Sequence, residues 1–315
     1  MEKLNYTRLK GFILEGLSSD PRFQIPLFVL FLILYIINLL ANMLMIGTIT
    51  VYIRLHSPMY YFLRNLSLVD ISFTSSIVPK MLIDFLSQVK SISFAGCVAQ
   101  LYSFISFGGV ECILLAVMSL DRYVAVCKPL HYTVIMNERV CIILAAISWV
   151  AGLLNSLAHT VFTFRLPFCR SNRINHFFCD IPPLLELSCT DTYINEIVVY
   201  TSGGSVIIGS FLFTLLSYVF IISAILKIQT SEGRQKAFST CVSHLSVVSL
   251  YFGTIVFTYI RPTSSYALEQ DRVIPVLYGV VTPMLNPIIY SLRNKEVQGI
   301  LRKAIKRLKG HNIGE

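Results

Sequence analysis

The feature that most constrains this chain is a series of seven long apolar stretches, separated by short segments that hold most of the charges. Each stretch is close to or longer than the roughly 20 residues that an α-helix needs to cross the hydrocarbon core of a bilayer. The stretches are too long and too uniformly apolar for the alternating strands of a membrane β-barrel. We therefore expect an all-α membrane protein, a seven-transmembrane helix bundle with spans near 25–51, 59–86, 97–120, 140–163, 195–226, 237–260 and 273–291.

Composition supports this class of protein. Hydrophobic residues make up 55% of the 315 residues and charged residues only 14%, whereas soluble domains carry about 25% charged residues. The residues before the first span mix charges of both signs and contain no apolar run, which predicts a polar tail over 1–24 rather than a cleaved signal peptide. The transmembrane domain is then expected over 25–291, with no room for a separate soluble domain.

The last segment, 292–315, has the pattern of an amphipathic helix. Its apolar residues recur at helical spacing and face a basic side, which is typical of a helix lying on a membrane surface. The apolar positions are Val297, Ile300, Leu301, Ala304, Ile305 and Leu308.

The distribution of charge predicts the orientation. If the gaps after the first, third and fifth spans share one side with the carboxyl-terminal tail, that side carries 14 Lys and Arg against 5 Asp and Glu. Cytoplasmic segments of membrane proteins are enriched in Lys and Arg, so we expect a cytoplasmic carboxyl terminus, an extracellular amino terminus and a location in the plasma membrane. Lipid head groups account for the basic face better than a nucleic acid does. The sequon at Asn5 lies on the tail placed outside and predicts a glycosylation site.

Eight cysteines divide by their predicted depth. Four lie in or at the inner ends of helices, where thiols stay reduced: Cys112, Cys127, Cys141 and Cys241. Four others lie on the oxidising side, namely Cys97, Cys169, Cys179 and Cys189. Their spacing is unlike that of metal ligands, so no metal site is expected and we interpret them as two disulfides, although spacing alone leaves three pairings open.

Two carboxylates fall inside predicted spans, where ionisable side chains are costly and mark function by default. Asp70 lies midway along the second span and Glu111 midway along the third, and Asn42 and Asn286 lie at similar depth. Two carboxylates close together share a proton or hold a cation. The cluster is therefore either a structural knot that shares a proton or a switch linked to a cation or a proton.

Asp121-Arg122-Tyr123 lies at the inner end of the third span. An acid beside an arginine holds the arginine locally, and its release would expose a cation to a partner.

The seventh span carries Asn286-Pro287 and, one turn later, Tyr290. A proline inside a helix frees a carbonyl group and introduces a kink. We expect Asn286 to bond such freed groups and Tyr290 to change its packing between states.

These residues resemble those of rhodopsin-like G-protein-coupled receptors, and longer motifs resemble vertebrate olfactory receptors. The likeness covers essentially the whole chain. The motifs are 55–63 (LHSPMYYFL), 118–127 (MSLDRYVAVC), Ser217-Tyr218, 236–245 (KAFSTCVSHL) and 283–294 (PMLNPIIYSLRN). Two positions depart from the family pattern: Ser119-Leu120 stands where the family has Ala-Tyr, and Tyr251-Phe252 stands where it has Phe-Tyr, which removes a hydroxyl from the expected pocket floor.

The resemblance implies disulfides Cys97–Cys179 and Cys169–Cys189, and an odorant held in the outer half of the bundle. Laying the third, fifth, sixth and seventh helices together gives the candidate ligand-binding residues, which are Phe104, Ile105, Gly108, Ser202, Val206, Phe252, Ile255, Val256, Tyr259 and Tyr278. The resemblance also implies that an olfactory-type stimulatory G protein, which raises cyclic AMP, binds at the inner end. The implied coupling and switch residues are Asp121, Arg122, Tyr123, Tyr218, His244, Asn286, Pro287 and Tyr290.

The implied pocket is mostly apolar, with a few hydroxyl groups. No carboxylate stands at Phe104 or Ile105 to balance a cationic amine. We therefore expect a neutral, largely apolar odorant whose polar group bonds Ser202 or Tyr259.

Other classes of protein fit less well. The chain has no phosphate-binding glycine loop and no metalloprotease motif, and His159 and His244 lie at different depths, so we expect neither an enzyme nor a cofactor, apart from the cation or proton at Asp70 and Glu111. A transporter would show paired broken helices in internal repeats. A chemosensory receptor of the same fold that acts outside the nose is the alternative that stays open.

Overall fold

The computed structural model describes residues 10–18, 20–52, 57–169, 171–259, 275–293 and 299, with the backbone alone at 236, 240, 256–259 and 291–293. Its helices are α1 (Pro21–Val51), α2 (Pro58–Leu86), α3 (Phe94–Cys127), α4 (Tyr132–Ile135), α5 (Glu138–Phe164), α6 (Ile181–Glu186), α7 (Tyr193–Val198), α8 (Gly204–Leu226), α9 (Ser231–Tyr259) and α10 (Thr282–Arg293). Two π-helical segments, Val199–Gly203 and Leu277–Val281, lead into α8 and α10. Three short strands complete the secondary structure: β1 (Gly11–Leu14), β2 (Ser91–Ser93) and β3 (Arg173–Ile174).

Long apolar helices dominate the described part of the chain. Five helical segments are long and apolar enough to cross a membrane: α1, α2, α3, α5 and the continuous stretch Tyr193–Leu226. The parts Ser231–Ser239 and Cys241–Ile255 of α9 meet at 42° and make a sixth if they are taken as one span. With α10, these helices correspond to the seven predicted stretches, and the expected seven-helix membrane fold is confirmed.

Local sequence explains where the first and third spans begin. Asp20 caps α1 by accepting a hydrogen bond from the Arg22 backbone N–H at 3.0 Å, and Pro21 occupies the first helical position. Ser93 caps α3 through the Gly96 N–H at 3.1 Å. Such caps satisfy backbone donors that the first turn leaves free. As a result, α3 begins before the predicted residue 97, and it also continues seven residues past 120 through the charged turn at its other end.

The helix α3 is the central helix of the bundle and packs against α2, α5, α8 and α9. Its contact with α5 is close because glycine stands at the crossing. A Cβ atom on Gly152 would lie 2.5 Å from Val110 Cγ2 and 2.8 Å from Val110 N. Leu40 on α1 and Leu212 on α8 are among the many large apolar side chains that stay exposed on the bundle's outer surface. Such a surface suits a lipid environment.

One end of the bundle, here called the disulfide end, carries two disulfides. Cys97 at the start of α3 is bonded to Cys179, with Cα atoms 5.6 Å apart, and Cys169 is bonded to Cys189, with Cα atoms 5.8 Å apart. These are the two pairings that the resemblance implies. The opposite end of the bundle, where Asp121 lies, is called the Asp121 end.

A three-stranded sheet lies at the disulfide end and was not expected from the sequence. Strand β1 pairs antiparallel with β2, Phe12 opposite Ile92, and parallel with β3, Leu14 opposite Ile174. The predicted polar tail 1–24 thus contains a strand whose apolar side chains are buried. They belong to a second hydrophobic cluster, here called the cap cluster, formed by Phe12, Leu14, Ile92, Cys97, Leu101, Ile174, Cys179, Ile181, Leu184 and Leu187.

Candidate functional site

An aromatic cluster lies between α3 and its neighbours in the half of the bundle nearer the disulfide end. The Phe104 ring centroid lies 4.7 Å from that of Phe178 in the long loop, 5.2 Å from that of Phe73 on α2 and 6.1 Å from that of Tyr278. Tyr278 lies in the π-helical segment before α10. The predicted ligand residues Phe104 and Tyr278 are therefore brought together, and both are buried.

One turn further along α3, the backbone of Gly108 meets α9. The Tyr251 hydroxyl donates to the Gly108 carbonyl oxygen at 2.9 Å, and the Cys112 Sγ lies 3.7 Å from the same hydroxyl. The Tyr251-Phe252 order therefore puts a hydroxyl on α3 from the position where the family pattern has phenylalanine. A Cβ atom on Gly108 would lie 3.6 Å from the Phe73 ring and 3.7 Å from the Tyr251 hydroxyl.

The other predicted ligand residues on α3 and α9 are Ile105, Phe252, Ile255, Val256 and Tyr259. Phe252 is buried and packs against Phe211 of α8, with ring centroids 5.5 Å apart. Ile255 is buried in the main core, and Ile105 is half-buried between that core and the cap cluster. The side chains of Val256 and Tyr259 lie outside the described residues.

Ser202 and Val206 lie on the fifth span. The Ser202 hydroxyl is 3.1 Å from His159 Nε2 on α5 and 2.8 Å from the Val198 carbonyl oxygen. Ser202 belongs to the π-helical segment Val199–Gly203, and π-helical turns are frequent at functional sites. Val206 is half-buried and lines an open groove of about 370 Å³ between α3, α5 and α8.

The predicted polar cluster forms at mid-depth. The Asn286 Nδ2 group donates to Asp70 Oδ1 at 3.0 Å and to Glu111 Oε1 at 3.2 Å, so one amide nitrogen joins both carboxylates. All three side chains are buried. The second oxygen of each carboxylate, Asp70 Oδ2 and Glu111 Oε2, and the amide oxygen of Asn286, Oδ1, have no hydrogen-bond partner in the described part of the chain.

Asn42, which was expected in this cluster, forms its hydrogen bonds outside it. Its Nδ2 group donates to the Pro283 carbonyl at 3.2 Å and to Asn38 Oδ1 at 2.7 Å. Pro287 has no N–H group to donate to the Pro283 carbonyl, four residues earlier. The freed carbonyl is therefore bound by Asn42, and the expectation that Asn286 binds it was wrong.

At the Asp121 end, the buried Asp121 carboxylate binds two partners. It accepts a hydrogen bond from Arg122 Nη2 at 3.1 Å and one from the Tyr132 hydroxyl at 2.7 Å. Burial and then the Asp121 charge raise the pKa of Tyr132, so its hydroxyl stays protonated as a donor. Tyr123, next along the helix, packs against Phe220 of α8. The local pairing of Asp121 with Arg122 is thus present, and Tyr132 supports it.

His244 connects three helices near this end. Its Nε2 group donates to the Leu115 carbonyl of α3 at 3.0 Å, and its Nδ1 atom accepts from the Tyr218 hydroxyl of α8 at 2.7 Å. Because a carbonyl oxygen only accepts, the proton of the neutral ring is on Nε2. Tyr290 is buried, and its hydroxyl has no hydrogen-bond partner among the residues that the structure describes.

Sequence reasoning missed three side chains at these sites. Tyr132 lies in a short loop helix, and only folding of that loop returns it to Asp121. His159 was noted without its partner Ser202. Lys80 pairs with Asp84 one turn later on α2; the four-residue spacing was the available signal. Asn5 lies outside the described residues. So does the predicted amphipathic segment 292–315, apart from the backbone of 292–293, which ends α10, and position 299.

Comparison with known proteins gives one consistent result. The family model described as "Olfactory receptor" matches residues 31–308. A Mus musculus protein named Olfactory receptor 5AP2 is 52% identical over 98% of this chain and 96% of its own length. Olfactory receptor 5AR1 from Mus musculus is 50% identical over 97% of this chain and 98% of its own length, and the Homo sapiens protein of the same name matches to the same extent.

Proposed function

The chain belongs to the olfactory receptor family of G-protein-coupled receptors, and from this premise we propose that it binds a neutral, largely apolar odorant and activates a stimulatory olfactory-type G protein, which raises cyclic AMP. The observation that carries the proposal is the series of contacts along α3. The helix α3 contacts the aromatic cluster through Phe104 and contacts α9 through Gly108 and Leu115. At its far end it carries the Asp121–Arg122 pair.

The chemistry of the ligand region supports a neutral odorant. Phe104, Tyr278, Phe252 and Ile255 offer mainly apolar surface, which is usual for small-molecule sites. The polar groups that we assign to the site are the hydroxyls of Ser202 and Tyr259. A ligand panel in which only amines or only carboxylates activate the receptor would contradict this assignment.

Two hydrogen bonds between α9 and α3 suggest how binding reaches the Asp121 end. Tyr251 binds Gly108 beside the aromatic cluster, and His244 binds Leu115 two turns further along. We propose that the odorant favours a state in which α9 moves relative to α3. A ligand shifts such an equilibrium only by the difference between its affinities for the two states. Arg122 and Tyr218 would then be available to the G protein.

The first test is a cyclic AMP measurement in cells that express the chain and are exposed to a broad odorant panel. We expect a rise that depends on odorant and that Arg122→Ala abolishes without loss of surface expression. The matched control is Arg139→Ala, at the same end of the bundle but outside the Asp121 contacts. Normal signalling by Arg122→Ala would contradict the coupling role, and silence of the natural sequence at normal surface expression would contradict the receptor function.

We also propose that the amino terminus is extracellular, the carboxyl-terminal tail is cytoplasmic beside the lipid surface, and Asn5 carries a glycan. The net positive charge on one side and the disulfides at the other end support this orientation. Glycosidase treatment should shift the electrophoretic mobility of the natural sequence and leave Asn5→Gln unchanged. An amino-terminal epitope that antibody reaches only after permeabilisation would reverse the orientation.

For Asp70 and Glu111 we propose that the pair holds one positive charge, either a shared proton or a small cation. The support is that three buried oxygens around Asn286 have no hydrogen-bond partner among the described residues. Melting of the purified receptor should depend on sodium, measured against choline, if a cation is held, and on pH alone if a proton is held. Asp70→Asn should remove the dependence. A melting temperature indifferent to both sodium and pH would contradict the proposal that the pair holds a positive charge.

A further inference from the structure

A second buried histidine lies where α5 meets the fifth span. Only 2% of the His159 surface is exposed. Its Nε2 atom is 3.1 Å from Ser202 Oγ, and a Cβ atom placed on Gly203 would lie 3.2 Å from the same nitrogen. The ring therefore packs directly on the π-helical segment Val199–Gly203, which carries one of the proposed ligand residues.

The hydrogen bonds of Ser202 fix the proton on this ring. Ser202 Oγ lies 2.8 Å from the Val198 carbonyl oxygen, which only accepts, so the single hydroxyl proton is donated there. Toward His159 the hydroxyl must then accept. The Nε2 atom of the imidazole therefore carries the hydrogen.

The other ring nitrogen is consequently an acceptor. The described residues form no ion pair with His159, and a charged imidazole without a counter-charge is strongly disfavoured in a buried site. The ring is neutral, and Nδ1 holds a lone pair. That atom has no hydrogen-bond partner in the described part of the chain.

His244 provides a contrast within the same molecule. Both of its nitrogens are bonded, one to Leu115 and one to Tyr218. Buried polar atoms are partnered in the large majority of cases, by protein groups or by ordered water. The His159 Nδ1 lone pair, beside a proposed ligand-binding segment, therefore calls for a donor from outside the described residues, either a water molecule or a ligand.

We propose that His159 Nδ1 accepts a hydrogen bond from the odorant, so that the receptor selects alcohols or phenols over ethers, esters and aldehydes of the same size. This inference rests on the proposed function, because it takes the Ser202 region as part of the odorant site. The inference also moves the polar contact of the odorant from the Ser202 hydroxyl to His159 Nδ1. The Ser202 proton is already bound by Val198, and Ser202 acts by fixing the orientation and protonation of His159.

The discriminating experiment is a dose–response series with a primary alcohol, its methyl ether and the matching aldehyde, together with a phenol and its methyl ether. The alcohol and the phenol should activate at concentrations at least tenfold lower than their partners. Sites built to hydrogen-bond a donor group discriminate strongly against analogues that lack it.

Three variants separate the role of Nδ1 from general packing. His159→Gln keeps a donor for Ser202 and loses the acceptor at the Nδ1 position, so the alcohol preference should disappear. His159→Asn keeps an acceptor near that position and should retain part of the preference. Ser202→Ala frees the ring to take either protonation, so the alcohol and aldehyde responses should converge. Surface expression and melting temperature report whether each variant folds.

The outcomes distinguish this inference from the proposed function. Equal responses to alcohol, ether and aldehyde in the natural sequence would overturn the inference and leave an odorant receptor. If no odorant activates a receptor that reaches the surface, the proposed function fails. The ¹⁵N spectrum of the purified receptor, in which the His159 signal is assigned by its absence in His159→Gln, then decides the protonation directly. A hydrogen on Nδ1 would overturn the inference.

Discussion

Single polar side chains hold the Asp121 end in its present arrangement. Asp121 is fully buried and carries a hydrogen bond from Arg122 and another from Tyr132. Hydrogen bonds to a charged group contribute about 1.5–3 kcal/mol each. The Tyr132 hydroxyl is therefore a substantial part of what keeps Arg122 beside Asp121.

We expect Tyr132→Phe to raise cyclic AMP in the absence of odorant, by several-fold, because Asp121 loses one of its two partners and the arrangement that holds Arg122 is weakened. Cyclic AMP per receptor at the cell surface measures the effect. Tyr200→Phe, at an exposed position on the fifth span, is the control. A lower basal signal at equal surface expression would contradict the stabilising role.

Asp180 gives the disulfide end a pH dependence. Although the residue as a whole is half-buried, its carboxyl group lies deep in the loop beside Cys179, and this burial raises its pKa to about 6, against the lowering effect of the Ile181 N–H bond at 2.8 Å. The folded state thus binds this proton more tightly than the unfolded chain, whose carboxyl has the ordinary value of 3.8. The free energy of unfolding should therefore fall by roughly 1–3 kcal/mol as pH rises from about 4 to above 6.

Melting of the purified receptor between pH 4 and pH 8 tests this dependence. Asp180→Asn keeps an oxygen for the Ile181 N–H and should reduce the slope, whereas Asp191→Asn at an exposed loop position should not. An unchanged slope in Asp180→Asn would assign the pH dependence to other groups.

Much of this residue-level picture was accessible from the sequence. Asp121, Arg122, Asp70 and Glu111 stand out because charges are costly inside apolar spans. Partners that approach through loop folding, such as Tyr132, carry no such signal. The sequence also did not show that Asn42, and not Asn286, binds the Pro283 carbonyl, since this contact depends on how α1 lies against α10.

At the scale of elements, the crossing of α3 and α5 depends on glycine. Helices approach closely where a side chain is absent, and Gly152 faces the backbone of α3 at such a point. The sequence showed that both spans are apolar, but the place where two helices touch depends on their relative rotation. The two π-helical segments were equally hidden, because the spans are apolar on nearly every side, so the change in helical phase caused by one extra residue leaves no visible mark in the sequence.

We expect Gly152→Ala to destabilise the receptor by about 1–3 kcal/mol, the usual cost of overpacking. The added Cβ atom would lie 2.5 Å from Val110, so α3 and α5 must separate. Thermal melting in detergent measures the loss. Gly209→Ala, where a Cβ atom meets nothing within 4 Å, should be neutral or slightly stabilising because alanine favours the helix. Equal melting temperatures for the two variants would mean that the crossing adapts without cost.

At the scale of the whole molecule, the disulfide end has a core of its own. The cap cluster joins β1, the start of α3, the long loop and α6, and Phe12 within it is only 1% exposed. Hydropathy predicted the seven spans well because lipid imposes length and apolarity on each of them. Residues 11–14 form a run too short to be read as a strand before its partners are known, and those partners lie about 80 and 160 residues further along the chain.

We expect Phe12→Ala to reduce stability by about 3–5 kcal/mol, the usual cost of removing a buried phenylalanine, and to lower surface expression. Phe23→Ala removes the same group from a position that is 54% exposed, and it should have little effect. Melting temperature and surface labelling measure both variants. Similar behaviour of the two would show that the cap cluster contributes little to the folded receptor.

The pairing of β1 with both β2 and β3 has a consequence for biosynthesis. During translation, Gly11–Leu14 emerges first and meets β2 only after two helices, yet it cannot complete its sheet until Arg173–Ile174 has been made. For about half of synthesis, a short apolar strand therefore waits with one edge or both unpaired, available to chaperones and to neighbouring nascent chains. A tag placed near the amino terminus should accordingly leave the chain from Lys10 onward intact, so that β1 can still pair with β2 and β3.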